Sequence, residues 1–317
     1  MGKQRERKDN CPPGVIGLQQ IVEEISRLKK ERNAVILSHL YQPAEIQEVA
    51  DYVGDSLGLA QQAAGTGADV IVSCGVRFMA ETASILSPEK IVLIPDDMAG
   101  CPMADMVTEE ALRKRKEELP EAVVVCYVNT TAGVKALCDI ACTSANAESV
   151  VRSLPPDKQI LFVPDRNLGR NIINKTGREM ILWDGCCSIH DKLTAAQISS
   201  AKAAHPEAMV LVHPECRPEV ISLADVVSST TGMIKFAAES SADTFIIGTE
   251  VGILHPLQKA CPGKEFHFAS VDLVCQDMKK TTLEKINQVL QDMAPKVKVP
   301  QEIREKAVRC LDNMLAI

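Results

Sequence analysis

Three stretches of the chain repeat one arrangement of apolar and polar positions: "VILSHLYQPAEIQEVADYVGDS", "VVVCYVNTTAGVKALCDIACTS" and "MVLVHPECRPEVISLADVVSST". Each opens on a short run rich in β-branched residues, which predicts a buried strand. Each then reaches a polar residue, His39, Tyr127 or His213, and a turn. Beyond the turn, apolar residues recur at helical spacing: Ile46, Val49, Ala50, Val53 in the first, Val134, Leu137, Ala141 with Cys138 between in the second, and Val220, Leu223, Ala224, Val227 in the third. That spacing predicts an amphipathic helix after each strand. A second half follows each time, in "ADVIVSCGVRFMAETASILSPEKIVLIPDDMAGC", "KQILFVPDRNLGRNIINKTGREMILWDGCC" and "ADTFIIGTEVGILHPLQKACPGKEFHFASVDLVC". It reads as strand, loop, amphipathic helix, strand and a loop carrying cysteine.

The register between the stretches argues for duplication of one unit. Tyr127 lies 88 residues beyond His39, and His213 lies 86 beyond Tyr127. An aspartate stands 12 residues past each (Asp51, Asp139, Asp225) and a hydroxyl 17 past each (Ser56, Ser144, Thr230). Strands alternating with helices at this spacing predict an α/β fold of three homologous three-layer αβα domains, their parallel sheets set around a pseudo-threefold axis. The division expected is an N-terminal tail and helix over 1–30, repeats over 31–117 and 118–204, and a third repeat with a C-terminal helix over 205–317. Ligands of parallel α/β units gather beyond the carboxyl ends of the strands. His39, Tyr127, His213 and the cysteine loops are therefore expected to meet there. Ser56, Ser144 and Thr230 each precede a second helix and read as N-caps, at helix starts whose free N–H groups suit anions.

Composition narrows the function. At 317 residues and 46% hydrophobic, the chain can bury a large core. Its net charge of -7 and the absence of a basic stripe argue against nucleic-acid binding. The start "MGKQRERKDN" is charged with no apolar run behind it, and runs such as "AVVVCYV" are too short to span a bilayer. A soluble, cytoplasmic protein without membrane contact is expected. The 12 cysteines are widely spaced, which suits a reducing compartment in which most, such as Cys126 and Cys138, are small packing residues.

The cysteine loops keep the repeat. Cys101, Cys187 and Cys275 are 86 and 88 residues apart, and lie 62, 60 and 62 beyond His39, Tyr127 and His213. Cys186 beside Cys187 fits slightly worse, and an insertion in that loop leaves it open. One thiolate per repeat would make a three-cysteine site for zinc with an open position, or for a [4Fe–4S] cluster with one iron free of protein. Three packed cysteines sharing a loop position by duplication is the plainer alternative.

These residues resemble the quinolinate synthase family over about residues 17–300. The resemblance is carried in order by "SHLYQPAEIQEVADYVGDSL", "VRFMAETASILSPEK", "AGCPMADM", "VVVCYVNTTAGVKA", "CTSANA", "PDRNLG", "WDGCCSIH", "HPEC" and "TEVGILHPL". It implies an enzyme of NAD biosynthesis that condenses iminoaspartate with dihydroxyacetone phosphate into quinolinate, phosphate and water, and a supplier of iminoaspartate that oxidises aspartate. It implies a [4Fe–4S] cluster on Cys101, Cys187 and Cys275, with Cys187 and His190 in the family's W-x-G-x-C-x-x-H pattern. The open iron would serve as a Lewis acid. By the same resemblance Glu215 is the general base with His213 beside it, Tyr127 and Asn129 orient substrate, and His39 and Tyr41 lie near the triose phosphate. Arg77, Glu81 and Glu250 fall in matching blocks and are expected to act behind the site or as surface ion pairs. The sequence departs from the family at Leu40, where asparagine is common, at the isolated Cys275, and at Thr231. Another hydro-lyase built on an open iron is the alternative enzyme, and a small-anion binding module the alternative without catalysis.

Overall fold

The computed structural model describes residues 17–317, so the charged tail 1–16 lies outside it. Twelve strands form three four-stranded sheets, all of whose pairings are parallel. The first holds β1 (Ala34–His39), β2 (Tyr52–Gly54), β3 (Val70–Cys74) and β4 (Ile91–Leu93) in the order β2-β1-β3-β4. The second holds β5 (Val123–Tyr127), β6 (Ile140–Cys142), β7 (Ile160–Val163) and β8 (Ile181–Leu182) in the order β6-β5-β7-β8. The third holds β9 (Met209–Val212), β10 (Val226–Val227), β11 (Thr244–Gly248) and β12 (Glu265–Phe268) in the order β10-β9-β11-β12. One topology therefore occurs three times, with helices covering each sheet: three αβα domains. Central strands such as β3 are buried along their whole length, as sheets covered on both faces require.

The predicted first helices are shorter than their apolar spacing suggested. Each is only a turn or two, Ala44–Val49, Ala132–Lys135 or Pro218–Ile221, and the chain then enters an edge strand. Val53, Ala141 and Val227, assigned to helix faces by spacing, lie in β2, β6 and β10. Apolar positions three or four apart over one turn do not distinguish a helix from a helix that gives way to a strand.

The repeated aspartates explain the change of direction. Asp51 Oδ2 accepts from the Ile36 amide at 2.8 Å, Asp139 Oδ2 from Val124 at 2.7 Å, and Asp225 Oδ2 from Val210 at 2.8 Å. The amide of each aspartate returns a bond to the carbonyl of the same strand residue. Each pair fastens the start of an edge strand to the strand beside it. Asp139→Ala is expected to lower stability by about 1 kcal/mol, the usual net worth of one such bond. Urea unfolding reads this directly, and an unchanged midpoint would show that water replaces the carboxylate without loss.

The chain after the third sheet returns to the first two. Helix Leu283–Asp292 packs Ile286 and Leu290 with Ile21, Ile25 and Ile36 over the first sheet. The C-terminal helix Gln301–Leu315 buries Ala307, Cys310, Leu311 and Met314. Among the described residues no helix is long and apolar enough to cross a membrane.

Candidate active site

The carboxyl ends of β1, β5 and β9 deliver His39, Tyr127 and His213, and two residues farther on stand Tyr41, Asn129 and Glu215. Glu215 is the hub. Its Oε1 accepts from the Tyr127 hydroxyl at 2.5 Å, its Oε2 lies 2.6 Å from His190 Nδ1 and 3.8 Å from His213 Nδ1, and its carbonyl accepts from Asn167 Nδ2 at 3.2 Å. The His190 and His213 rings stack with centroids 4.5 Å apart.

A hydrogen-bond chain runs from this hub into the first repeat. His190 Nε2 is 2.8 Å from Thr249 Oγ1, which is 2.6 Å from the Tyr41 hydroxyl. In the neutral tautomer that donates from Nδ1 to Glu215, the Nε2 must accept. Thr249 then donates to His190, and Tyr41 donates to Thr249. Burial and the Glu215 charge push both tyrosine hydroxyls, Tyr41 and Tyr127, well above their ordinary range, which keeps them as O–H donors. Burial opposes ionisation of Glu215, yet His213, His190 and the Tyr127 hydroxyl together hold its carboxyl well below the usual carboxylate range.

Burial also pushes the His39 imidazole down to about 4 and that of His213 to about 3, so both are uncharged at neutral pH. Each gains a proton near pH 6.5 when unfolded, so below that pH the unfolded state binds more protons and stability falls as pH falls. Thermal unfolding midpoints are expected to drop between about pH 6.5 and about pH 4, and to drop less in His39→Gln. A midpoint that is flat across the window in the parent protein contradicts neutral burial.

Cys101, Cys187 and Cys275 line one cavity of about 270 Å³, together with Tyr41, Asn129 and Glu215. Cys186 does not line it; its amide donates to Met106 Sδ at 3.4 Å, and its thiol lies in the field of Asp191 and Arg166. Two of the cysteine loops are pinned from behind by buried carboxylates. The Cys187 amide donates to Asp165 Oδ2 at 3.2 Å, and the Cys275 amide to Glu250 Oε1 at 3.0 Å. Glu250 is thus no surface ion pair: it is fully buried and bonded to Lys279 at 2.8 Å. Arg77 does pair at the surface with Asp97, and Glu81 accepts from the Ala132 amide at 2.9 Å.

The donor set suits a soft, multi-atom group. Burial pushes the Cys101 thiol up to about 12 and raises those of Cys187 and Cys275, so thiolates here need a positive partner. A single zinc with bonds of about 2.3 Å would draw its thiolates to within about 4 Å of one another. Among the described residues, the one metal-capable group whose ligand atoms all lie within 4.8 Å is Cys187, His190 and Glu215, not the three thiols. That triad is already closed by the short His190–Glu215 bond, and the other nitrogen of His190 is taken by Thr249. The wider thiol set is compatible with an iron–sulfur group.

The three repeated hydroxyls are placed differently from the expectation. None is an N-cap: Asp55 caps the helix Ser56–Gly65, Ser229 caps Thr230–Glu239, and Asn146 precedes Ala147–Ser153. Ser56 and Thr230 stand one residue inside their helices, because the residue before each already bonds the free amide of Gly58 or Gly232. Ser144 lines a second cavity of about 430 Å³ with Asp55, Ser229, Thr231 and Pro214. None of the three hydroxyl residues lines the cysteine cavity. Pro214 opens to one cavity and its neighbour Glu215 to the other; His190 lines the cysteine cavity, and His39 and His213 line neither.

A family profile described as "NadA: Quinolinate synthetase A protein" matches residues 23–316. The chain belongs to that family. It is 55% identical over 298 residues to a quinolinate synthase of Desulforudis audaxviator, covering 94% of this chain and 98% of the relative. It is 55% identical over 297 residues to one of Geobacter metallireducens, covering 94% and 97%, and 54% identical over 295 residues to one of Methanoregula boonei, covering 93% and 97%. Membership makes the chain an enzyme of the quinolinate synthase kind. Within this family member, the residues that spacing alone did not select are Asp55, Asp165, Thr249 and Glu250. Asp165 and Glu250 do carry a readable signal, since each stands two residues beyond the third strand of its repeat, β7 or β11, where the first repeat has Val76 after β3.

Proposed function

We propose that this chain condenses iminoaspartate with dihydroxyacetone phosphate to give quinolinate, phosphate and water, as a step of NAD biosynthesis, with a [4Fe–4S] cluster held by Cys101, Cys187 and Cys275. The observation that carries the reading is that three thiols, one from each repeat, face a single cavity bounded by Glu215. Three protein ligands leave one iron open, and a bound cluster supplies Lewis acidity toward a substrate oxygen and its departure as water.

The protein's own groups divide the remaining work. Glu215 is the proton acceptor, and the donors that keep it ionised also weaken it as a base. Proton abstraction therefore requires one donor to turn away, and the Tyr127 hydroxyl, which rotates freely about its C–O bond, is the group suited to turn toward substrate. Asn129 Oδ1 is buried without a partner, so it is available to a substrate hydroxyl or imine N–H. The proton that Glu215 takes up can leave through His190 and Thr249 to Tyr41, replacing one that Tyr41 gives to substrate. His39 and His213, neutral, hold substrate oxygens as hydrogen-bond partners. Ser56, Ser144 and Thr230 are assigned to the carboxylate and phosphate groups, although Asp55 next to Ser56 places a negative charge at that helix start.

The repeat boundaries at 118 and 205 fall between sheets and that at 31 just ahead of the first, which supports reading them as domain limits. The reading includes a cytoplasmic location and an aspartate-oxidising enzyme as the source of iminoaspartate. The test is anaerobic incubation of iron-loaded protein with dihydroxyacetone phosphate and iminoaspartate formed in place, followed by mass analysis for quinolinate. Dehydration of a hydroxyacid with no quinolinate formed would point instead to another open-iron hydro-lyase.

A further inference from the structure

The repeat holds a third coincidence besides its aspartates and hydroxyls. Eight residues beyond His39 stands Gln47, and eight beyond Tyr127 stands Lys135. Both side chains are buried on the short first helix of their repeat, Lys135 completely. Gln47 Nε2 donates to the carbonyls of Leu40 at 3.1 Å and Gln42 at 2.8 Å. Lys135 Nζ donates to the carbonyls of Val128 at 2.7 Å and Thr130. In both repeats the two carbonyls stand one and three residues past the strand-end residue, so each clamp brackets the residue between them. Those bracketed residues are Tyr41 and Asn129.

The third repeat has Ile221 at this position, which can donate nothing. There the bracketed residue, Glu215, is instead held through its own carbonyl by Asn167 Nδ2 at 3.2 Å, reaching across from the second repeat. All three strand-end loops are thus fixed by a buried side-chain donor, by two different routes.

Lys135 is costly where it stands. Among the described residues no carboxylate forms an ion pair with it, Glu81 acting only from farther off, and burial disfavours its charged form. Its partners are the two carbonyls and the face of Phe78, 5.5 Å away. Packing alone would be served as well by methionine. What methionine cannot do is donate two hydrogen bonds to a turn.

We propose that Lys135 and Gln47 are positioning residues, each a two-pronged clamp that fixes the loop after its strand so that Asn129 and Tyr41 face the cysteine cavity in register. The inference rests on the reading above that Tyr41, Tyr127 and Asn129 handle substrate. The internal repeat supplies its own control, because Gln47 shows that an amide suffices for the same two bonds.

The experiment compares Lys135→Met with Lys135→Gln in the full-length, iron-loaded chain, with Gln47→Met as the matching change in the first repeat. Lys135→Met is expected to keep iron content while kcat/KM falls on the order of 10²-fold, the scale of a small misplacement at a reacting centre. Lys135→Gln should recover most of that loss. In an Asn129→Ala background, Lys135→Met should add little further loss, since a clamp acts through what it holds. Parent-like kcat/KM in Lys135→Met, or Lys135→Gln no better than Lys135→Met, overturns the proposal. Amide hydrogen exchange over residues 127–131 reads the clamp without turnover: faster exchange in Lys135→Met and parent-like exchange in Lys135→Gln support it, and unchanged exchange in both overturns it. A parent protein that makes no quinolinate would refute the substrate reading while leaving the exchange result to decide the clamp.

Discussion

Cys187→Ala is expected to lose its iron on anaerobic purification, whereas Cys186→Ala keeps it. The two residues are neighbours in one loop with equal intrinsic affinity for iron, so only geometry separates them. Cys187 faces the cavity shared with Cys101 and Cys275, and its amide is tied to Asp165. Cys186 points toward Arg166 and Asp191 on the outer side of the loop. Losing one of three thiolates leaves two protein ligands, which do not retain a four-iron group, so quinolinate formation should vanish with the iron. Iron and sulfide content, with the visible absorption of the purified variants, settles the matter. Equal iron content in both variants contradicts the assignment of Cys187.

The second large effect is expected at Glu215. Glu215→Gln preserves volume and can still accept from Tyr127, but it removes the charge that the hub is built to hold. The variant should fold, load iron, and lose turnover by about 10²–10⁴-fold, the range spanned by general-base catalysis. The amide would also place an N–H against one of its former donors, so the Tyr127 and His190 contacts cannot both survive. Single-turnover product formation by iron-loaded variant gives the answer. Near-parent rates would remove Glu215 from proton transfer and leave it a scaffold for His190.

Much of this was legible before any coordinates, for a physical reason. Duplication writes each structural requirement three times, and a requirement written three times stands above chance. The aspartates at 51, 139 and 225 were visible as a register and proved to make one and the same pair of bonds, carboxylate and amide to one strand residue, in every sheet. His39, Tyr127 and His213 fell at strand ends because β-branched runs stop where polar residues begin. The edge strands β2, β6 and β10 were missed because two or three residues carry too little periodicity to oppose a helical reading. The N-cap expectation was one residue out at Ser56 and Thr230, where Asp55 and Ser229 are equally good caps and sequence cannot choose between adjacent hydroxyl and carboxylate residues. Thr249 was out of reach for a different reason. It has no counterpart in the other repeats, and its importance comes only from the meeting of Tyr41 and His190, which belong to different repeats.

The two cavities also sharpen what the site must do. The cysteine cavity opens past Tyr41, Asn129 and Glu215, while the second opens past Ser144, Asp55 and Ser229. Pro214 and Glu215, adjacent in sequence, open to the second and the first cavity respectively, so one loop separates the two.

The measurement that bears most directly on the central claim is Mössbauer spectroscopy of anaerobic, isotope-enriched protein with and without quinolinate. The account predicts a four-iron spectrum in which the signal of one iron alone shifts when quinolinate is added, as three cysteine ligands and one open position require. Absence of iron after strictly anaerobic reconstitution, or a four-iron spectrum indifferent to quinolinate, would contradict it.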